Sequence, residues 1–195
     1  SYISTLGWSD DIASFKKWWI ESGGVIQFAG KDQIRQQAAM WQAMLMASGL
    51  PSSKQIVIHG FIQSNGQKMS KSLGNVVDPL ALVSEYGTEA LRWYLARHIH
   101  PFEDSDFTIE AYKEAYNADL ANGIGNLVSR IMKMAQEHLK VTPTIPEKTI
   151  PDEFLKALEV YNVQAAALII SKAIADLDKR IQETEPFKLI KVDKE

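Results

Sequence analysis

The stretch QKMSKSLGNVVDP, Gln67 to Pro79, places Lys68, Ser70, Lys71 and Ser72 on one short segment and follows them with Gly74 and an Asp-Pro pair. Two ammonium groups and two hydroxyls are all hydrogen-bond donors, a set suited to a polyanion such as a row of phosphates. The better-known phosphate loops are absent: neither G-x-x-x-x-G-K-[ST] nor G-x-G-x-x-G occurs in the sequence. Lysine and serine are also the ordinary residues of a solvated surface loop, so composition alone leaves both readings standing.

Elements on either side must position this segment. FKKWW (Phe15 to Trp19) has helical spacing, Gly23-Gly24 interrupts it, and VIQF (Val25 to Phe28) predicts a short buried strand. A helix is predicted after Gly30-Lys31-Asp32, with Asp32 as its N-cap and Ile34, Ala38, Trp41 and Leu45 on one stripe. It ends at Gly49, with Pro51 beyond. QIVIHG (Gln55 to Gly60) is dense in β-branched residues, so residues 25–60 predict a parallel strand–helix–strand crossover.

Asn65-Gly66 predicts a tight hairpin turn just ahead of the lysine-bearing loop. Beyond the loop, Asp78 reads as an N-cap with Pro79 at the first helical position. Gly87 closes that helix in a left-handed conformation, and Thr88 caps the next, through Leu91, Trp93 and Leu95. From Thr108 onward only helix signals remain. Tyr116, Leu120, Ile124, Leu127, Ile131 and Met134 form one stripe; a Pro-punctuated linker, Val141 to Pro151, leads to a second long helix carrying Leu155, Leu158, Ala165, Ile169, Ala173 and Leu177. The predicted fold class is α/β followed by all-α.

Composition sets outer bounds. The chain has 195 residues, 46% of them apolar, enough for a packed core. Its net charge of -3 gives no global positive field, so any RNA binding has to come from local patches and base contacts. Zero cysteines exclude disulfides and thiolate zinc sites. His59, His98, His100 and His138 are scattered without metal spacing; His98 and His100 read as surface or helix-end residues. No run of eighteen apolar residues and no leader pattern is present, which makes the cytoplasm the default expectation. The abrupt apolar start SYISTLGW reads as a piece of a longer chain.

The order of residues in Lys68-Met69-Ser70-Lys71-Ser72, with LGN and DP following, resembles the signature loop of class I aminoacyl-tRNA synthetases. Similarity to the methionyl branch extends through GKDQIRQQAAMWQAMLMASGLPSSKQIVIHGF, YGTEALRWYL and NADLANGIGNLVSR, nearly the whole chain. It implies the end of a Rossmann-type catalytic domain over residues 1–60, a signature-loop and stem-contact region over 61–107, and an incomplete helical anticodon-binding domain over 108–195. It also implies ATP with Mg²⁺ on its phosphates, methionine and tRNA as substrates, and no role for a membrane or for DNA. No zinc site is expected.

The resemblance assigns residues as well. Lys68, Met69, Ser70, Lys71 and Ser72 form the ATP-phosphate loop, with Lys71 in contact with the phosphates. Tyr2 matches a methionine-pocket tyrosine, although a core aromatic fits it equally. Asp32 matches a residue near the nucleotide, and Trp41 fits core packing better than substrate contact. Gln36 and Gln37 stand where methionyl enzymes usually carry Phe-His, and Met40 where an aromatic is usual, so amino-acid selectivity is open at Gln37. Asn126 and Arg130, four apart on one helix face, match anticodon-binding residues. Glu185-Pro186-Phe187 stands at the family's A-P-W motif, so Phe187 either stacks on the anticodon or anchors the bundle.

The family's H-I-G-H motif does not occur in the sequence, so half of an adenylate-forming site is expected here and the chain alone is expected to be inactive. Leucyl, isoleucyl and valyl enzymes remain alternatives, with cysteinyl a weaker one. A tRNA-binding module without catalysis is the alternative of a different kind.

Overall fold

The computed structural model describes residues 2–144, 147 and 149–192. The chain divides into two compact units: residues up to Phe61 with Phe102–Asp104, and Ile62–Pro101 with the chain from Ser105 onward.

The first unit begins with α1 (Tyr2–Thr5) and α2 (Ile12–Phe15), which continues as π-helical Lys16–Glu21. Strand β1 (Ile26–Gly30) leads through a 3₁₀ turn, Lys31–Gln33, and π-helical Arg35–Met40 into α3 (Trp41–Ala47), and β2 (Gln55–His59) comes next. The two strands are parallel, in a register from Ile26 opposite Gln55 to Gly30 opposite His59. The crossover predicted from periodicity is therefore present. Asp32 is not its helix N-cap: Gly30 occupies that position, and Asp32 lies inside the 3₁₀ turn. Phe15, Trp19 and Leu45 are buried, with Ile3, Leu6, Trp8, Val25, Trp41 and Leu50 packed around them. Buried Gln27 is satisfied by Ser53 Oγ, which donates to its Oε1 at 2.7 Å.

In the second unit, β3 (Ile62–Ser64) and β4 (Gln67–Lys68) form an antiparallel hairpin, with β5 (Ser105–Asp106) parallel on the other side of β3. Asn65 and Gly66 both adopt positive φ, as a two-residue hairpin turn requires. Then come α4 (Pro79–Tyr86), α5 (Thr88–His98), α6 (Ile109–Ala115), π-helical Tyr116–Gly125, α7 (Asn126–His138), α8 (Asp152–Glu159), α9 (Val163–Thr184) and α10 (Pro186–Val192). Asp78 caps α4 by accepting from Leu80 N–H at 2.9 Å. Leu82, Leu91, Tyr94, Ile99, Phe107 and Tyr112 form the core beneath.

Several expectations need correction. Thr88 is the first residue of α5, and the residue before it, Gly87, is the N-cap. Gly87 has positive φ but a ψ of 156°, an extended form reserved for glycine and not the left-handed helical one. The second long helix is two, because Tyr161 at φ 60° ends α8 and Asn162 caps α9 by accepting from Ala165 N–H at 2.9 Å. The stripe from Tyr116 to Met134 does not share one buried face; Leu127 is buried, while Ile124 and Ile131 are 39% and 38% exposed. The wider π turn and the kink at Gly123 (φ -80°, ψ -105°) shift its phase. Of the Pro-punctuated linker, Ile145, Pro146 and Lys148 lie outside the described residues.

Candidate functional site

The lysine-bearing loop is built from short-range bonds. Ser70 is extended and caps the 3₁₀ turn Lys71–Leu73, its Oγ accepting from Leu73 N–H at 3.3 Å and lying 3.1 Å from Ser72 Oγ. Gly74 comes next at φ 64°, the left-handed conformation that lets the chain reverse. Asn75 then reaches back: its Oδ1 accepts from Ser70 N–H at 2.9 Å, and its Nδ2 donates to the Lys68 carbonyl at 3.3 Å. Met69 turns inward against the Leu82–Tyr112 core, whereas Lys68, Lys71 and Ser72 are exposed. Met69 thus faces the core, while Lys68 and Lys71 lie on the exposed side.

In the first unit, Gln37 Nε2 donates to Tyr2 Oη at 3.0 Å, and the Tyr2 ring meets Trp41 edge-on at 5.7 Å. Two atoms in this group are buried without a hydrogen-bond partner, Gln37 Oε1 and Trp41 Nε1. Orphaned buried polar atoms are costly, and a ligand's polar groups are one way to satisfy them. A cavity of ≈ 290 Å³ next to Tyr2 is lined by Leu6, Trp19, Gln27 and Phe28.

Gly30 and His59 lie opposite one another at the carboxyl ends of the two parallel strands, the edge at which open α/β sheets bind ligands. A Cβ on Gly30 would stand 3.0 Å from Asp32 Oδ1 and 3.6 Å from the His59 ring, so both side chains crowd the bare backbone there. His59 Nδ1 lies 2.9 Å from the Gly60 carbonyl, which assigns the proton to Nδ1 and leaves Nε2 as an acceptor in the neutral ring. Counting histidines missed this residue; its place at the end of a β-branched run was the available signal. Lys31 pairs with Asp104, which also accepts from Phe61 N–H at 2.8 Å. The Lys31 ammonium, then the Phe61 amide, hold the Asp104 carboxyl below its ordinary range.

In the helical part, Arg130 donates to Asp178 at 2.9 Å, and Gln182 donates to the other oxygen of the same carboxylate at 2.6 Å. Asn126, one turn earlier on α7, is exposed, and Phe187 is 41% exposed. Asp119 accepts from both Trp93 Nε1 at 3.1 Å and His98 Nε2 at 2.7 Å, so His98 is a bonded residue. A cavity of ≈ 270 Å³ lies here, lined by Trp93, Asp119, Asn122, Gly123 and Asp178. No group of three His, Cys, Asp or Glu side chains able to hold a metal gathers among the described residues.

A loop of this order, a parallel crossover before it and a helical region after it define a class I tRNA synthetase fold, and residues 1–132 match the family model "tRNA synthetases class I (M)". The chain belongs to that family. It is 43% identical over 141 residues, 72% of its length, to the methionine–tRNA ligase of Thermosynechococcus vestitus. It is 35% identical over 202 residues, 96% of its length, to that of Thermotoga maritima. It spans 26% and 31% of those two relatives. Among solved structures, Mycobacterium tuberculosis methionyl-tRNA synthetase in complex with methionyl-adenylate superposes with a TM-score of 0.84 at 30% identity, over 96% of this chain and 39% of that one.

Proposed function

We propose that this chain forms the loop-bearing and helical portion of a cytoplasmic methionyl-tRNA synthetase, with residues 1–60 as the end of a Rossmann-type catalytic domain, 61–107 as the signature-loop region and 108–195 as part of an anticodon-binding bundle. The observation that carries this reading is the Lys68–Ser72 loop, with Met69 packed against the core and Lys68 and Lys71 exposed.

In the reaction, a carboxylate oxygen of methionine attacks the α-phosphorus of ATP. The bond from that phosphorus to the β-bridging oxygen breaks, pyrophosphate leaves, and methionyl-adenylate remains. A hydroxyl of the terminal tRNA adenosine then attacks the activated carbonyl and AMP departs. Lys68 and Lys71 stabilise the negative charge that grows on the departing pyrophosphate, which speeds the step only to the extent that their contacts tighten in the transition state. Tyr2 and Gln37 hold the amino acid, Asp32 adjoins the nucleotide, and Asn126, Arg130 and Phe187 meet the anticodon. Mg²⁺ bound with ATP would supply neutralisation of charge on the phosphates that Lys68 and Lys71 face.

The test is Lys71→Ala in the full-length synthetase containing this segment, with ATP–pyrophosphate exchange as the readout. A loss of about a hundredfold or more is expected. Near-normal exchange overturns the loop assignment.

A further inference from the structure

We propose that Asn75 is the positioning residue of the lysine-bearing loop, the group that sets where Lys68 and Lys71 present their charge. This rests on the reading of that loop as a phosphate binder. Regular secondary structure is sparse in the segment from Lys68 to Gly74. Its strand pairing ends with Lys68, opposite Gln63, and only the 3₁₀ turn Lys71–Leu73 intervenes before α4 begins at Pro79. Ordering such a segment costs conformational entropy, so a loop without internal bonds would spread its lysines over many positions.

The Asn75 amide reaches back to the start of this segment and closes it into a ring. Oδ1 accepts from Ser70 N–H at 2.9 Å while Nδ2 donates to the Lys68 carbonyl at 3.3 Å, so one planar group engages the backbone on both sides of Met69. Met69 between these two bonds is pressed against the Leu82, Tyr94 and Tyr112 core. The ring therefore has a fixed base. Ser70, whose amide is fixed by Asn75, in turn caps the turn that contains Lys71. Both lysines inherit their place from one side chain that touches neither ammonium group.

Only an amide makes both contacts. Aspartate at position 75 keeps the acceptor for Ser70 and loses the donor to Lys68, while alanine loses both. A graded response is the signature of positioning, because a substitution acting through general stability would not follow donor and acceptor count.

The experiment titrates inorganic tripolyphosphate into the 195-residue chain and follows backbone amide shifts, for the wild type, Asn75→Ala, Asn75→Asp and Lys71→Ala. Hydrogen exchange at Ser70 and thermal unfolding are measured in parallel. Asn75→Ala is expected to weaken tripolyphosphate binding about fivefold to tenfold and to release Ser70 N–H to exchange, with little change in the unfolding midpoint. Asn75→Asp should retain Ser70 protection and lose affinity to an intermediate degree. Wild-type affinity in Asn75→Ala, alongside a clear loss in Lys71→Ala, overturns the role of Asn75 and leaves the loop reading intact. Unchanged affinity in Lys71→Ala overturns the loop reading itself. Should Asn75→Ala fail to fold, Asn75→Asp decides: affinity equal to the wild type refutes the proposal.

Discussion

Arg130 on α7 and Asp178 on α9 are joined by a 2.9 Å hydrogen-bonded ion pair, and Gln182 engages the remaining oxygen of the carboxylate. Both charged side chains are 34% exposed, and partly solvated pairs contribute only about 0–1 kcal/mol to stability. The pair therefore contributes little to holding the helices together. Arg130→Ala is expected to lower stability by less than about 1 kcal/mol. The same change should weaken binding of an anticodon stem-loop RNA by at least about tenfold. Filter binding and urea unfolding on the same variant check both; loss of stability without loss of RNA affinity would make the pair purely structural.

Gln37 Nε2 donates to Tyr2 Oη, which leaves the tyrosine proton free to turn toward a ligand. A glutamate at position 37 would accept that proton and reverse the bond. Gln37→Glu is expected to raise the KM for methionine about tenfold at saturating ATP in the full-length synthetase, with the KM for ATP unchanged. Equal rises in both would place Gln37 outside the amino-acid pocket.

Asp104 is held below its ordinary carboxyl range by Lys31 and by the Phe61 amide. A depressed folded-state value means that the carboxylate adds stability above its unfolded value and loses that contribution as pH falls through the folded one. Asp104→Asn should therefore unfold at a lower temperature than the wild type near about pH 6, and the difference should vanish toward about pH 2. Thermal scans across that range decide it; a difference that persists in acid means the contribution is not electrostatic.

Gly60 has no room for a side chain, since a Cβ would lie 2.1 Å from the backbone carbon and oxygen of Glu103. Gly60→Ala must displace backbone and is expected to cost about 1–3 kcal/mol, read as a lower urea midpoint. Gly66→Ala is a useful contrast: no atom within 4 Å meets its Cβ, and its φ of 70° makes the cost conformational.

The legible parts were those whose causes are close in sequence. The hairpin at Asn65-Gly66 arises from two residues that tolerate positive φ, and the start of α4 from an aspartate cap beside a proline with fixed φ. The strand–helix–strand unit was readable from periodicity, and the loop from five residues in order. The caps fall two positions before Asp32, at Gly30, and one before Thr88, at Gly87, because cap chemistry alone does not fix where the chain turns. The break at Tyr161 was hidden because apolar spacing continues across it.

The sequence by itself determined the chemistry of the loop, the crossover that precedes it and the helical character of the chain beyond Thr108, because these depend on residue type over three or four positions. Tertiary structure alone decided that Arg130 meets Asp178 across 48 positions, that Lys31 meets Asp104 across 73, and that Tyr2 accepts from Gln37 across 35. Such pairs are chosen by how helices and strands pack, and each side chain has many chemically adequate partners until packing removes all but one.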